Sequence, residues 1–154
     1  MHTTNENLSV DMTITIIEAQ SYQSHYAAAV QRLTNQLTSH PVEINEASWI
    51  QMLSRDDSHL FLLLVDEEVA GMISVGIYFS PTGGKAWIED VVVDEVYRGR
   101  GLSKCLVEHA IIFAREAGVH TLMLTSRPAR IAANHLYRSM GFVQRETNVY
   151  KLEL

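Results

Sequence analysis

Two glycines one residue apart, Gly99 and Gly101, sit among Arg98, Arg100 and Lys104, just beyond the apolar run Val91-Val92-Val93 and the link Asp94-Glu95-Val96-Tyr97. Leu102 then opens a long stretch of helical periodicity, so the segment reads as strand, glycine-bearing turn, helix. At such a junction several backbone N–H groups lack helical partners and converge with the positive end of the helix dipole. Glycines let an anion approach the backbone, and the three cationic side chains add local positive charge. The chemistry this supports is the holding of a pyrophosphate. The same residues also suit a tight turn with solvated basic side chains. Two nucleotide-binding patterns do not fit. The P-loop needs four residues between its glycines and then Gly-Lys-Ser/Thr, whereas here Ser103 precedes Lys104. The dinucleotide fingerprint fails because Lys104 takes the place of its third glycine and His120 to Thr125 holds no acid for a ribose.

Other reactive side chains are fewer. Glu89 and Asp90 come directly before the apolar run, and strand alternation expects them on opposite faces. Cys105 is a nucleophile by type, but no His and Asn pattern accompanies it, so a structural thiol is expected. None of the seven histidines falls in a His-x-x-x-His or His-Glu-x-x-His spacing, so no metal is expected, and His109 and His135 read as exposed or capping helix residues.

The elements that must position these residues follow from periodicity. Thr13 to Ile17 reads as a strand, and Tyr26, Ala29, Val30, Leu33 and Leu37 mark a helix from Tyr22 that Pro41 should end. Asn45 is placed to cap a shorter helix carrying Trp49. Leu60 to Val65 and Val69 to Tyr78 read as strands joined through Asp66, Glu67 and Glu68, and Pro81 to Gly84 as a further turn. Trp87 to Val93 is the strand before the glycine turn. The following helix has the spine Leu102, Leu106, Ala110, Phe113 and Ala117 and ends at Gly118. A strand at Thr121 to Thr125, a helix from Pro128 to Met140 closed by Gly141, and strands at Phe142 to Val143 and Val149 to Leu154 complete the chain. The order β-α-α-β-β-β-α-β-α-β-β describes an α/β fold with a mixed, mostly antiparallel sheet and one right-handed parallel β-α-β crossover.

Bulk properties narrow the class. A chain of 154 residues with 47% apolar content suits one globular domain, residues 12–154, after a polar leader, residues 1–11. Twelve Lys and Arg against eighteen Asp and Glu give a formal charge of −6, which disfavours nucleic acid as a partner. Apolar runs such as Leu60 to Val65 are far short of a membrane span. The leader has no basic or apolar signal pattern, and the single cysteine fits a reducing compartment, so a cytoplasmic location is expected.

Arg98-Gly99-Arg100-Gly101-Leu102-Ser103 resembles the Gln/Arg-x-x-Gly-x-Gly/Ala signature of the GCN5-related N-acetyltransferase (GNAT) family. Ser103 departs from it but is small, and its hydroxyl can donate a hydrogen bond. Asn134-His135-Leu136-Tyr137-Arg138-Ser139-Met140-Gly141-Phe142 resembles a second family segment, Asn-x-x-Tyr-x-x-x-Gly-Phe, with Asn134 and Tyr137 sharing one helix face. The string Ile88 to Asp94 is similar to the glucosamine-6-phosphate acetyltransferase branch. The resemblance implies acetyl-CoA as cosubstrate. Its pyrophosphate would lie on the amides of Arg98, Gly99, Arg100, Gly101, Leu102 and Ser103 beside Lys104, and its thioester and pantetheine on a strand bulge within Val91, Val92 and Val93. Asn134 would contact the cofactor and Tyr137 would stand near its sulfur.

The implied reaction needs a neutral amine, yet an aliphatic ammonium is only about one part in two thousand deprotonated at neutral pH. Glu89 is favoured as the base. Tyr137 would protonate or hydrogen-bond the departing thiolate, and the strand amides near Val92 and Val93 would hold the oxyanion. Family acceptor walls map to about Ser39 to Glu46, Trp87 to Glu89 and Arg145 to Asn148, where Glu46 and Glu89 favour a cationic amine. The expectation is direct transfer to a small-molecule primary amine in a ternary complex, with a homodimer compatible. A protein or peptide amine, or a non-catalytic acyl-CoA-binding module, are the alternatives.

Overall fold

The computed structural model describes residues 11–40 and 42–154, and these fall into two compact units that meet in sequence at Leu124 and Thr125. Pro41, expected to end the first helix, and all but the last residue of the leader lie outside the described residues.

The first unit is a five-stranded sheet in the order β1 to β5, flanked by three helices. Its elements are β1 (Ile14–Glu18), α1 (Ser24–Leu37), α2 (Glu46–Leu53), β2 (Ser58–Val65), β3 (Glu68–Ser80), β4 (Gly83–Val93), α3 (Leu102–Glu116) and β5 (Leu122–Met123). The near-continuous apolar run of β2 reflects burial on both faces. Leu60, Leu62 and Leu64 pack in one cluster with Val30 and Leu33 of α1 and Trp49 of α2. Phe61 turns the other way, its ring 4.9 Å from Phe113 and 4.5 Å from His109 on α3. The first four strands pair antiparallel. The β2–β3 hairpin closes on Asp66 and Glu67, both left-handed at φ 48° and 71°, the backbone twist a two-residue loop requires. β4 then crosses through α3 to pair parallel with β5, Ala86 beside Leu122 and Trp87 beside Met123.

Local signals act as the sequence suggests. Asn45 Oδ1 accepts from the Ser48 amide at 2.9 Å while Ser48 Oγ accepts from the Asn45 amide at 3.0 Å, a reciprocal cap for α2. Gly118, at φ 75°, ends the run of α3 as expected. His109 differs from expectation: it is half-buried, its edge set against Phe61 and its Nε2 without a hydrogen-bond partner.

The second unit, Thr125–Leu154, contains α4 (Ile131–Ser139), which starts after Pro128 rather than at it. No strand forms at Phe142 to Val143 or Val149 to Leu154, and β5 holds only two of the five residues expected. Val143, Val149, Tyr150, Leu152 and Leu154 are exposed instead. Alternation states which faces a strand would present; a ladder also needs a neighbouring edge to hydrogen-bond, and these segments have no ladder partner among the described residues.

Candidate active site

The register of β4 against β3 slips by one residue just before the glycine turn. Met72 lies opposite Val92 and Ser74 opposite Glu89, which leaves Asp90 and Val91 facing Ile73 alone. This is a β-bulge, and Asp90 takes the left-handed conformation at φ 51° that an aspartate tolerates better than a branched residue. The bulge lies one residue earlier than the expected Val91 to Val93. The reason is packing: Val92 is locked into the α1-side cluster, while Val93 stands at Gly71 beside Leu106 of α3. A Cβ on Gly71 would come within 2.9 Å of the Val92 carbonyl oxygen, so no slack remains beyond Asp90 and Val91.

The bulge also defeats the alternation expected of Glu89 and Asp90. Both are exposed, between buried Ile88 and buried Val92. Loss of hydration raises the Glu89 pKa, and the neighbouring Asp90 charge raises it further. Loss of hydration also raises that of Asp90. A carboxylate pushed toward neutrality is a stronger base than its free counterpart.

Beyond the strand, Asp94 caps a single helical turn, Glu95–Tyr97, and Arg98 leads into Gly99 and Gly101, at φ 78° and 75°. Gly101 precedes α3 without any side-chain cap. Among the described residues, the six consecutive amides from Gly99 to Lys104 have no backbone or side-chain acceptor. Among the described residues, a Cβ built on Gly99 or Gly101 meets nothing within 4 Å, so they leave open space over the turn. Six free donors at a helix start, with glycine on the approach, fit a pyrophosphate.

The basic side chains of the turn are exposed, and each has a partner. Arg98 Nε donates to its own turn at the Val93 carbonyl, 3.2 Å away. Arg100 lies over the Tyr97 ring at 5.4 Å, and Lys104 pairs with Glu108 at 3.6 Å. Leu102, expected in the turn, buries its side chain in the core and offers only its amide, and Ser103 is half-buried.

Sequence reasoning missed Asp94, a buried carboxylate that accepts from Arg32 Nε at 2.8 Å, Val96 N–H at 3.3 Å and Gln36 Nε2 at 3.4 Å. Burial pushes its pKa up, but the three hydrogen bonds and the Arg32 charge outweigh this and hold it below the usual value. Arg32 and Gln36 fall on the polar side of α1, about sixty residues away, and no local pattern announces them.

In the second unit, Asn134 and Tyr137 lie on α4 as the spacing predicts. Asn134 Nδ2 donates to the Arg127 carbonyl at 2.9 Å, bracing the segment before the helix. Gly141, at φ 92°, donates to Arg138 O, and the Phe142 amide to Tyr137 O at 3.0 Å, a Schellman termination. Its hydrophobic contact is Phe142 on Tyr137, ring centres 5.9 Å apart. The Tyr-x-x-x-Gly-Phe spacing is thus what fixes the Tyr137 ring. Burial raises the Tyr137 pKa, with Arg130 opposing, so the phenol keeps its proton at neutral pH.

Cys105 is partly exposed and free, and no cluster of metal-binding side chains occurs among the described residues. A cavity of about 490 Å³ lined by Ser54, Arg55, Asp56, Asp57, Ile77 and Phe79 contains none of the residues above.

Residues 22–142 match the family model described as the acetyltransferase (GNAT) family. The chain is 30% identical over 140 residues to the probable glucosamine 6-phosphate N-acetyltransferase 2 of Oryza sativa subsp. japonica, covering 84% of this chain and 80% of that protein. It is 37% identical over 87 residues to the streptothricin acetyltransferase of Streptomyces lavendulae, a match covering 56% of this chain but only 45% of that enzyme. Among solved structures, a putative acetyltransferase from Agrobacterium tumefaciens shares the fold with a TM-score of 0.80 at 24% identity, over 90% of this chain and 99% of that one. The aminoglycoside N-acetyltransferase AAC(6')-Iy, solved with CoA, shares it at 0.76 and 17% identity, over 92% and 95%. No helix among the described residues is long and apolar enough to cross a membrane. With its bulged strand, open-amide turn and tyrosine-bearing helix, the chain belongs to the GNAT acetyltransferase family.

Proposed function

We propose that this chain transfers an acetyl group from acetyl-CoA to the primary amine of a small molecule, directly, with both substrates bound together. The observation that carries the reading is the run of six open amides, Gly99 to Lys104, beyond a bulge with two carboxyls of raised pKa at its start, Glu89 and Asp90. The relatives named for glucosamine 6-phosphate and streptothricin support a small-molecule amine as acceptor. Residues 12–154 are read as one acetyltransferase domain acting in the cytoplasm.

Bound acetyl-CoA supplies an activated acetyl thioester. The amides of Gly99 to Lys104 hold its pyrophosphate in the field of the α3 dipole. The backbone of Asp90 to Val93, released from regular pairing at the bulge, orients the carbonyl and steadies the charge that builds on its oxygen. Glu89 takes a proton from the acceptor ammonium, and its raised pKa makes it fit for that step. Tyr137 keeps its phenolic proton at neutral pH and gives it to the departing sulfur.

The test is calorimetry with acetyl-CoA followed by a thiol-release assay against amino sugars, aminoglycosides, polyamines and peptides. Micromolar binding with turnover on one of the small amines is expected. Binding without any turnover would leave a non-catalytic acyl-CoA module, and turnover on peptides alone would move the acceptor to protein amines.

A further inference from the structure

Asp94 is the one buried charged side chain among the described residues, and its partners all come from two places: helix α1 and its own turn. Arg32 and Gln36 are one helical turn apart on α1. Arg32 gives Nε to Asp94 and Nη2 to the Val69 carbonyl at 3.0 Å, so it spans β3 and the end of β4. Gln36 works in both senses, donating to Asp94 and accepting the Glu95 amide at 3.0 Å. The Asp94 amide in turn donates to the Ala70 carbonyl at 2.8 Å. The Asp94 side chain and the amides of Asp94 and Glu95 are thus clamped from outside the turn, four to five residues before the first glycine.

Asp94 is buried while Arg32 keeps half of its side chain in solvent, so the pair gains little net stability, its attraction being offset by desolvation of the carboxylate, whereas it fixes geometry well. The geometry at stake is the direction of six backbone donors. Gly99 and Gly101 have no side chains to hold them, and among the described residues nothing stands within 4 Å of where those side chains would be. The clamp at Asp94 and the burial of Leu102 are the anchors on either side of that run. Amides that must meet an anion together bind it better the less they are reordered on binding.

We propose that Asp94, with Arg32 and Gln36, is a positioning device that holds the Gly99 to Lys104 amides in their anion-binding arrangement, so that it sets affinity for the cofactor rather than the rate of chemistry. The inference rests on the reading of this turn as the acetyl-CoA site. It makes helix α1, which carries none of the expected cofactor residues, a determinant of cofactor affinity.

The test compares wild type with Asp94→Asn, Arg32→Met, Arg32→Lys and Gln36→Met, measuring the Kd of CoA by calorimetry, kcat at saturating acetyl-CoA, and Tm. For Asp94→Asn and Arg32→Met the Kd should rise about tenfold while kcat stays within about threefold, since misplacing binding groups by an ångström is costly. Arg32→Lys should recover part of the loss. The double variant Asp94→Asn with Arg32→Met should be little worse than either single one, because both break the same unit. Gln36→Met is a milder change, suited to a case where the charge variants fail to fold, and should raise Kd about threefold. Lowered Tm with unchanged Kd in the folded variants, or an unchanged Kd in Gln36→Met, would make the clamp a fold element only and overturn the proposal. A wild-type protein that binds no CoA would overturn the site reading itself, a result separate from any of these.

Discussion

At Glu89, a side chain that is exposed still has a raised pKa, because it loses part of its hydration and the Asp90 charge stands next to it. The acid limb of the kcat/KM profile of the wild type should therefore sit above the ordinary carboxylate range, activity falling as Glu89 is protonated. Glu89→Gln should remove that limb and lower kcat about a hundredfold; an unchanged profile would assign the proton to water. Tyr137→Phe keeps the ring packed on Phe142 and loses only the phenol. It should lower kcat by about a hundredfold, the low end for a general acid because a thiolate leaves readily, with acetyl-CoA affinity little changed. A rate within about a factor of two, with chemistry limiting, would reduce Tyr137 to packing. The placement of Tyr137 was legible because the Tyr-x-x-x-Gly-Phe spacing is itself the helix termination, whereas the bulge overrode the alternation expected at Glu89 and Asp90. Asp94 was not legible, since its significance lies in partners some sixty residues away that only the fold brings to it.

At the level of elements, what the sequence made plain was whatever a strand, helix or turn decides internally. The Asn45 cap, the left-handed Gly118 and the glycine junction at Gly101 all follow from local backbone demands. Gly101→Val tests the junction: φ 75° strains a branched residue and its side chain would enter the open space over the turn. CoA binding should weaken by tenfold or more, on the order of 1.4 kcal/mol, and a folded variant with unchanged affinity would place the cofactor elsewhere. What stayed hidden was whatever depends on a neighbour. The position of the bulge is set by how Val92 and Val93 pack on α1 and α3, and the terminal segments alternate like strands yet lack ladder partners.

For the whole molecule, the α/β class and the parallel crossover were readable because apolar runs and periodicity switch in order along the chain. The burial of His109 was not, since a histidine on a helix is silent about what the sheet opposes to it. Burial lowers its pKa, with the charges of Glu116 and Glu18 opposing. The neutral imidazole is then the form the fold prefers. Its contribution to stability is complete above the unfolded value near 6.5 and declines as pH falls below it. Tm should drop between about pH 7.5 and about pH 5.5, and less so in His109→Leu; equal drops would acquit the residue. The same molecule can be viewed through isotope exchange. Strands β2 and β3, paired on both sides and buried, should surrender their amide protons slowly. The run from Gly99 to Lys104, whose hydrogens no atom of the described residues accepts, should swap with deuterated solvent almost at once. Adding CoA should reverse that order locally, turning the fastest-labelling stretch of the domain into a shielded one while the sheet's own pattern barely moves.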